Sequence, residues 1–442
     1  MSGLISAITI WVFTLPVVAY FYYEVPVYVV GLNLIFIPVL KYVVAGGLLG
    51  GLFGSISAGG IIGLVSDWVR RGCMIMCHSI LYVYEYLSDH SMKLPYASIT
   101  TGRCPVYRMV VYYALLYLIV SIIIRKALVY EHIPKERNRG EKCRRFFSGR
   151  IYRLSAAVIT CAVGFLILIR IPQKSHMSLD MLSVGQGDGI VIVSDERVVS
   201  MIDGGSSSNP KLAEYVLMPY LKYHGYDHLD YWLISHPDED HYNGMLSLMR
   251  EGYRVDNVVL AAGAVRNEGY EEIVSAAKAA GANIILIHQN DEIRTDSMSL
   301  TCLGPQEGAV YSDTNEASMV LWLRYKDMDA LFTGDMGEGA ERDTLRYSDI
   351  SDLAAERDLE LLKVAHHGSK NSSCSEWLET LLPDIAIISA GRNNSYGHPA
   401  QETLERLDHI NSCVFCTKDR GQISVDMSDD KIRVIDRKRE NL

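Results

Sequence analysis

Apolar and polar positions are distributed differently in the two parts of this chain. Residues 1–171 contain long apolar runs with few charges, at 4–23, 25–69, 106–124 and, shorter, 154–169. A helix of about 20 mostly apolar residues is long enough to cross a bilayer. The pattern predicts an all-α membrane region. Residues 73–87, whose apolar run is interrupted by His78 and Glu85, fit a helix along the membrane interface instead.

Beyond residue 171 the apolar runs become short and alternate with polar segments. Runs at 189–193, 198–202, 283–287, 318–325, 330–332 and 385–389 predict strands. Longer amphipathic runs at 211–224, 271–280 and 401–407 predict helices. Strands that alternate with helices predict an α/β domain, and about 270 residues are enough to bury a large core.

Charge separates the same two parts. Residues 1–171 hold 17 Lys and Arg against 7 Asp and Glu, whereas residues 172–442 hold 25 against 45. Eight basic residues lie in 131–153, which predicts a basic cytoplasmic linker. If 154–171 is a last transmembrane helix, the domain after it lies outside the cytoplasm. The alternative is that this short run only tethers the domain inside.

The densest cluster of possible metal ligands is the segment from Ser235 to Gly244, which follows the apolar strand 231–234. His236, Asp238, Asp240 and His241 fall within six positions, and all four side chains can bind a divalent metal. Because alternate side chains on a strand face apart, we expect a short loop to turn these groups toward one point.

The spacing His-x-Asp-x-Asp-His-x-x-Gly after a strand resembles the metal loop of the metallo-β-lactamase superfamily. The variant with Asp238 in the second position resembles the ComEC family of competence DNA-uptake proteins. Five further motifs follow the order of that family: Val184-Gly185-Gln186-Gly187-Asp188, Ile202-Asp203-Gly204-Gly205, Thr333-Gly334-Asp335, Lys363-Val364-Ala365-His366-His367-Gly368-Ser369 and Asn394-Ser395-Tyr396-Gly397-His398-Pro399. The resemblance covers residues 174–437, and a weaker similarity links 14–38 to the last helices of the ComEC channel.

The resemblance implies a metallo-β-lactamase αβ/βα sandwich at 174–437, preceded by the end of a competence channel domain at 1–130. It also implies two divalent metal ions at the edge of two facing sheets. The implied metal ligands are His236, Asp238, Asp240, His241, Asp335, His367 and His398, with Asp335 bridging the two ions. Which of His366 and His367 binds metal stays open, because adjacent side chains at the end of a strand diverge.

The other implied roles concern the substrate and the support of the ligands. Asp240 is expected to orient the nucleophile as well as bind metal, and His366 or His398 to protonate the leaving oxygen. Ser369, Lys370 and Asn394 are expected to bind the substrate. Asp203 and Asp188 are expected to hold the ligands in place without binding metal, Asp203 by hydrogen bonds to the metal loop.

A site rich in carboxylate ligands favours manganese, with zinc as the alternative. The implied activity is that of a DNA nuclease associated with competence DNA uptake. Its implied substrate is single-stranded DNA or the strand that is not imported. Its implied partners are the membrane and other DNA-uptake proteins. Members of the family carry a further soluble domain and more spans, so we expect only the end of the channel here.

The acidic balance of residues 172–442 leaves two other functions open. Because binding of a polyanion depends on Lys and Arg, a phosphodiesterase for a small or cell-surface substrate is one alternative. A non-catalytic accessory subunit of an uptake channel is the other. Cys413 and Cys416 flank a short apolar run, and we expect both to be buried cysteines rather than half of a zinc site.

Overall fold

The computed structural model describes residues 2–56, 59–131, 160–167, 176–306, 308–311, 313–428 and 431–436. The chain divides into two compact units, one of residues 1–171 and 222–225, the other of residues 172–221 and 226–442. Most of the predicted basic linker lies outside the described residues, as do the two ends of the predicted last transmembrane helix.

The first unit is helical. Its elements are α1 (Ser2–Tyr22), β1 (Glu24–Pro26), α2 (Val29–Gly54), α3 (Gly60–Met92), β2 (Ser98–Thr100), α4 (Val106–Glu131) and the helical residues 160–167, α5. Among the described residues, Gly3–Tyr22 and Val29–Gly54 are long and apolar enough to cross a membrane, and Val106–Ile122 is a shorter apolar helix. Leu15 of α1, Tyr112 and Leu116 of α4 and Phe165 of α5 share one buried cluster.

The helix boundaries differ from the apolar runs of the sequence. The run at 25–69 is divided, because α2 ends at Gly54 and α3 begins at Gly60. Residues 73–87 lie inside α3, a single helix of 33 residues, and do not form a separate element. Helix α3 also contains Asp67, Arg70 and Arg71, which form ion pairs one turn apart, so hydropathy alone did not indicate its length.

The second unit contains two mixed sheets. The strands are β3 (Met177–Met181), β4 (Gly189–Val193), β5 (Val199–Asp203), β6 (His228–Ile234), β7 (Arg254–Ala261), β8 (Asn283–Ile287), β9 (Glu292–Arg294), β10 (Met298–Gly304), β11 (Val320–Tyr325), β12 (Met328–Phe332), β13 (Leu361–Lys363), β14 (Ile385–Ile388), β15 (Cys413–Cys416), β16 (Ile423–Ser428) and β17 (Lys431–Asp436). One sheet has the order β17-β16-β3-β4-β5-β6-β7-β8, and the other has the order β15-β14-β13-β12-β11-β10-β9.

The helices of this unit connect the strands. They are α6 (Met218–His224), preceded by a π-helical turn at Ala213–Leu217, then α7 (Glu239–Arg250), α8 (Glu268–Ala280), α9 (Glu338–Tyr347), α10 (Ile350–Glu356), α11 (Ser375–Leu381), α12 (Gln401–His409) and α13 (Thr417–Arg420). The predicted strands and helices are present, with boundaries that shift by a few residues.

Three buried clusters define the layers. Leu233 and Val259 of the eight-stranded sheet share a core with Leu321 and Leu361 of the seven-stranded sheet, so these two faces pack against each other. Trp232 on the opposite face of its sheet packs with residues of α7 and α8. The other face of the seven-stranded sheet packs with residues of α9, α11 and α12. This is the predicted αβ/βα sandwich, and truncation of a buried leucine such as Leu233 to alanine would cost about 2–5 kcal/mol.

Each sheet has a parallel half: β5 to β8 in one, and β12 to β15 in the other. The carboxyl ends of parallel strands lie at one edge of their sheet, where loops are free to carry functional groups. The six motifs named above follow the ends of β3, β5, β6, β12, β13 and β14, and β3 runs in the same direction as β5, so the fold collects them at that edge.

Candidate metal centre

The segment from His236 to His241 joins strand β6 to helix α7. Strand β6 ends at Ile234, Asp238 is the N-cap of α7, and the helix begins at Glu239. Asp240 and His241 therefore lie in the first turn of a helix, and the expectation of a loop is correct only up to Asp238. Carboxylates in a first turn are stabilised by the helix dipole, which is why this acidic sequence can begin a helix.

Asp203, at the end of β5, holds this segment in place. Its Oδ1 accepts the backbone N–H of Ser235 at 2.8 Å, and its Oδ2 accepts the Ser235 hydroxyl at 2.9 Å. The same Oδ2 lies 2.9 Å from Nδ1 of His241. Asp203 has a φ of 59°, a left-handed conformation that asparagine and aspartate tolerate better than most residues. Through these contacts Asp203 would exert its predicted supporting role.

Gly205, two residues after Asp203, allows the β5 loop to contact helix α7. A Cβ at this position would lie 2.6 Å from the backbone nitrogen of His241, closer than van der Waals contact permits. The Gly204-Gly205 pair is thus required for the loop to press against the first turn of α7.

Asp335 lies at the centre of the cluster, after β12. Its Oδ2 is 3.3 Å from Nε2 of His241 and 3.1 Å from Nε2 of His367. The side chain of Asp335 is buried, and its backbone N–H donates to the hydroxyl of Ser318 at 3.0 Å. One carboxylate oxygen thus faces two histidine nitrogens. His241 follows a strand of the eight-stranded sheet and His367 a strand of the seven-stranded sheet, and this is the arrangement expected of a bridging ligand.

The two histidines after β13 have different positions. They lie in a 3₁₀ turn at Ala365–Gly368, with left-handed φ values of 48° for His366 and 54° for His367. The ring of His367 is buried, with Nδ1 3.1 Å from the carbonyl of Ser389 and Nε2 3.8 Å from Oδ2 of Asp240. His366 is half-buried, and its ring lies 76° from that of its neighbour. The geometry therefore favours His367 as the ligand.

Several imidazole nitrogens here are buried without a hydrogen bond. They are Nε2 of His241, Nε2 of His367 and Nδ1 of His398, counted over the residues that the structure describes. Buried polar atoms are normally paired, so unpaired nitrogens that converge on carboxylates fit a bound cation. Ligand atoms of His236, His241 and Asp335 lie within 4.8 Å of one another, and so do those of Asp240, His241 and His367.

The electrostatics also favour a cation. Burial lowers the pKa of His241, but the carboxylates of Asp335 and Asp203 outweigh it and raise that pKa well above the usual value. The pKa of His367 is raised well above its usual value for the same reason, by Asp335 and Asp188. Raised pKa values at two buried histidines indicate a surplus of negative charge around them, which divalent metal ions would neutralise. The residues present therefore fit the implied metals.

His236 and Asp238 form a separate side of the cluster. Nδ1 of His236 lies 3.0 Å from the Ser235 hydroxyl, and its Nε2 lies 3.7 Å from Oδ2 of Asp238. Burial lowers the pKa of His236 well below its usual value, so its ring is neutral and able to bind metal. Oδ1 of Asp238 accepts the Thr314 hydroxyl at 2.7 Å.

The residues predicted to meet the substrate fall into two sets. Lys370 is exposed, and the hydroxyl of Ser369 accepts a backbone N–H from Asn371 at 3.3 Å. Asn394 is half-buried. Its amide donates to the carbonyls of Gly391 and His398 and accepts the N–H of His398, each at 2.8 Å. The polar atoms of Asn394 therefore hold the loop that carries His398, and its contact with substrate stays a prediction.

His398 lies beside this cluster, with its ring centroid 5.8 Å from that of His366 and 6.2 Å from that of His367. Tyr396, which is exposed, stacks on it with centroids 5.7 Å apart. Burial, followed by repulsion from His367 and His366, lowers the pKa of His398 to about 4.

Lys363, for which the sequence predicted no role, lies inside the cluster. Its side chain is 1% exposed and forms an ion pair with Asp188, which is also buried. Its ammonium donates to the carbonyl of Gly334 at 2.8 Å and lies 3.4 Å from Oδ1 of Asp335. A single lysine in the apolar strand Leu361-Leu362-Lys363-Val364 was the available signal, since buried lysines require a partner. Ser235, Thr314 and Ser389 were missed for lack of any signal.

Comparison with known proteins agrees with this geometry. Residues 182–392 match the model of the metallo-beta-lactamase superfamily, and residues 2–126 match the model of the competence protein family. The chain joins a competence-protein domain to a metallo-β-lactamase domain. The resemblance and the fold class expected from the sequence are both confirmed.

Curated relatives extend the match. The chain is 32% identical to ComE operon protein 3 of Bacillus subtilis, over 60% of this chain and 35% of that protein. It is 27% identical to Recombination protein 2 of Haemophilus influenzae, over 63% of this chain and 33% of that protein. The matches thus span about a third of the length of each relative. Among solved structures, Zn²⁺-bound PqqB of Methylobacterium extorquens aligns with 57% of this chain and 100% of its own, at 10% identity and a TM-score of 0.37.

Proposed function

We propose that this protein is a membrane-embedded, binuclear metal-dependent phosphodiester hydrolase that cleaves DNA during competence. The observation that carries the proposal is the meeting of His236, Asp240, His241, Asp335 and His367 at one sheet edge, with unpaired histidine nitrogens aimed at shared carboxylates. The match to the competence protein family supports DNA as the substrate class.

Two groups of side chains would hold the metals, manganese or zinc. Ligand atoms of His236, His241 and Asp335 form one group, and those of Asp240, His241 and His367 form the other. Asp238 would join the first group through Oδ2, 3.7 Å from Nε2 of His236, and Asp335 would join the second through Oδ2, 3.1 Å from Nε2 of His367. When bound, divalent ions would activate water and neutralise charge on a phosphate oxygen. Asp240, whose side chain is 27% exposed, is the ligand best placed to orient an incoming nucleophile.

The two outer histidines would have different roles. With a pKa near 4, His398 is neutral at neutral pH and is suited to accept a cation rather than to donate a proton. His366 is half-buried beside it, which leaves His366 as the group to protonate the leaving oxygen.

Basic residues at the same sheet edge support contact with a phosphate backbone. Lys370, Arg392 and Lys418 follow the carboxyl ends of β13, β14 and β15, three parallel neighbours in one sheet. The guanidinium of Arg392, an exposed residue, lies 3.3 Å from the backbone carbonyl of Lys418. Such a local patch would attract DNA even though residues 172–442 carry 45 acidic and only 25 basic residues.

That acidic balance favours a second candidate, a phosphodiesterase for a small or cell-surface substrate. A small ester needs the metal centre alone, whereas a polynucleotide also needs Lys and Arg to displace counterions. Salt dependence separates the two, because only DNA cleavage would weaken steeply as ionic strength rises.

The test uses the full chain in detergent, freed of metal by a chelator and reloaded with Mn²⁺ or Zn²⁺. Single-stranded DNA and bis-p-nitrophenyl phosphate are the two substrates, and Asp240→Ala is the variant. Metal-dependent DNA cleavage that Asp240→Ala loses supports the nuclease. Cleavage of the small ester alone supports the second candidate, and metal binding without either activity supports a non-catalytic accessory subunit of an uptake channel.

We also propose a multi-pass protein whose hydrolase domain is extracytoplasmic, where it could meet incoming DNA and other uptake proteins. The basic residues of 131–153 support this topology. Cys413 provides a native reporter, because it is exposed and free, contrary to the expectation that it is buried, whereas Cys416 is buried. A membrane-impermeant maleimide should label intact cells at Cys413, and Cys413→Ser should remove that labelling. Labelling that requires cell lysis would place the domain inside.

A further inference from the structure

Lys363 is a fully buried cation within a site that is suited to bind metal cations. It ends β13, and its strand neighbours Phe332 and Ile387 are apolar. Burial of an ammonium is costly unless it is paired and hydrogen-bonded. Here the partners are Asp188, Asp335 and the carbonyl of Gly334. A positive charge beside metal ligands repels a metal ion. Lys363 must therefore favour metal binding in some other way that outweighs this repulsion.

The two oxygens of Asp335 have different surroundings. Oδ1 lies 3.4 Å from the ammonium of Lys363, whereas Oδ2 lies 3.3 Å and 3.1 Å from Nε2 of His241 and His367. Only Oδ2 therefore faces the unpaired histidine nitrogens. Lys363 fixes the plane of the carboxylate, because a partial rotation about the Cβ–Cγ bond would move the oxygen that faces the ammonium away from it.

Asp188 extends the same support to both histidines. It forms an ion pair with Lys363, and its oxygens lie 3.5 Å from Nδ1 of His367 and 3.9 Å from Nδ1 of His241. A histidine that binds metal through Nε2 depends on groups around Nδ1 to set its tautomer and orientation. The ion pair between Lys363 and Asp188 thus lies next to three candidate ligands, which are Asp335, His241 and His367.

We propose that Lys363 is a positioning residue that withholds Oδ1 of Asp335 and presents Oδ2 alone to the metal centre, while it anchors Asp188 behind His241 and His367. The inference rests on the proposed metal-dependent function. Lys363 would stabilise the centre by fixing the geometry of the ligands. The positive charge of Lys363 alone would weaken metal binding.

The two effects predict opposite results for Lys363→Met, which has similar length and no charge. Loss of positioning weakens metal binding, and changes at groups that orient ligands typically cost about 10- to 100-fold in affinity. Loss of the charge alone would tighten binding. The full chain in detergent is titrated with Co²⁺, and both the dissociation constant and the visible absorption, which reports ligand number and geometry, are recorded.

We expect the dissociation constant of Lys363→Met to rise by at least about 10-fold, with an altered absorption spectrum. Tighter or unchanged binding, or weaker binding with the wild-type spectrum, would overturn the inference. The double variant Asp188→Asn/Lys363→Met removes the buried pair together and keeps the interior neutral, so it tests the same expectation if the single variant does not fold.

The control is Arg357→Met, which breaks another ion pair of the same sheet. Arg357 lies 2.6 Å from the buried Asp329 at the amino end of β12, away from the metal cluster. This variant should keep the wild-type affinity and spectrum. If the wild-type chain binds no Co²⁺, Mn²⁺ or Zn²⁺, the proposed function fails. If the wild type binds metal and Lys363→Met behaves like Arg357→Met, only the inference about Lys363 fails.

Discussion

The candidate metal-binding side chains form an inner and an outer group. The two groups differ in how many neighbouring groups hydrogen-bond to them or pack against them. The inner group, Asp203, His241, Asp335 and His367, is buried, and each member contacts at least one other polar side chain or carbonyl of the cluster. The outer group is Asp238, Asp240, His366 and His398. Its side chains are more open, with 37% of Asp238 exposed against 0% of His241.

This difference indicates a division of labour. Ligand positions that must be held within a fraction of an ångström are supported by packing and by hydrogen bonds from behind. Groups that meet a substrate need access to solvent. We therefore expect changes in the inner group to act on metal binding. In the outer group, Asp238, Asp240 and His398 would combine metal binding with access to solvent, so changes there should act on both binding and turnover. A change at His366 should act on turnover with the metal retained.

Asp335→Asn should have the largest effect, because Asp335 is shared by both halves of the cluster. Loss of its charge removes the electrostatic partner of His241 and His367 and leaves Lys363 with one carboxylate fewer. Metal affinity should fall by more than about 100-fold, beyond the range seen for supporting residues. Metal content after dialysis measures this directly, and Asp352→Asn on the exposed side of α10 is the control. Retained metal in Asp335→Asn would contradict a bridging role.

His366→Gln should lower kcat by about 100-fold, the lower end of the range for proton transfer by a side chain. Its metal content should not change, because the ring of His366 is outside the metal-holding groups found among the described residues. Turnover of bis-p-nitrophenyl phosphate and metal content are measured on the same preparation. His409→Gln, an exposed histidine at the end of α12, is the matched control. Metal loss in His366→Gln would move His366 from the outer to the inner group.

Asp203→Asn should weaken metal binding by about 10-fold. An amide nitrogen cannot accept the Nδ1–H of His241, so the ring would favour the tautomer that carries its proton on Nε2, where metal must bind. Isothermal titration with Mn²⁺ gives the affinity. The control is Asp230→Asn in the same sheet, where the carboxylate accepts the backbone N–H of Val199 at 2.7 Å. Equal affinities for the two variants would remove Asp203 from the inner group.

Alternating apolar runs predicted the strands and helices of an α/β domain, whereas the αβ/βα layers and the candidate ligands were implied by the family resemblance. Alternating apolar runs determine which faces are buried, and family motifs at strand ends place His241, Asp335 and His367 at one sheet edge. The choice between His366 and His367 could not be made, because it depends on two consecutive left-handed residues in a 3₁₀ turn. A strand was assumed there, and a strand places adjacent side chains on opposite faces.

Three further features were not predicted, each for its own physical reason. Lys363 and Asp188 are 175 positions apart in the numbering and meet only when the two sheets pack. The hydrogen bonds of Asn394 within its own loop were not predicted, because its motif with His398 indicated contact with a substrate. The length of α3 was missed because its charged turn interrupts the apolar run.

Thr314→Val should have the smallest effect on metal affinity. It tests whether Asp238 of the outer group depends on a supporting hydrogen bond as the inner group does. The hydroxyl of Thr314 donates to Oδ1 of Asp238 at 2.7 Å, which leaves Oδ2 toward Nε2 of His236 at 3.7 Å. Valine keeps the shape and removes this one hydrogen bond, typically worth about 1.5–3 kcal/mol with a charged partner when buried. Because the side chain of Asp238 is 37% exposed, water can replace the lost donor, and the rise in the Mn²⁺ dissociation constant should stay below about 10-fold. Thr314→Ser retains the hydroxyl and should match the wild type. A loss as large as that of Asp203→Asn would show that Asp238 depends on its support as strictly as the inner ligands do.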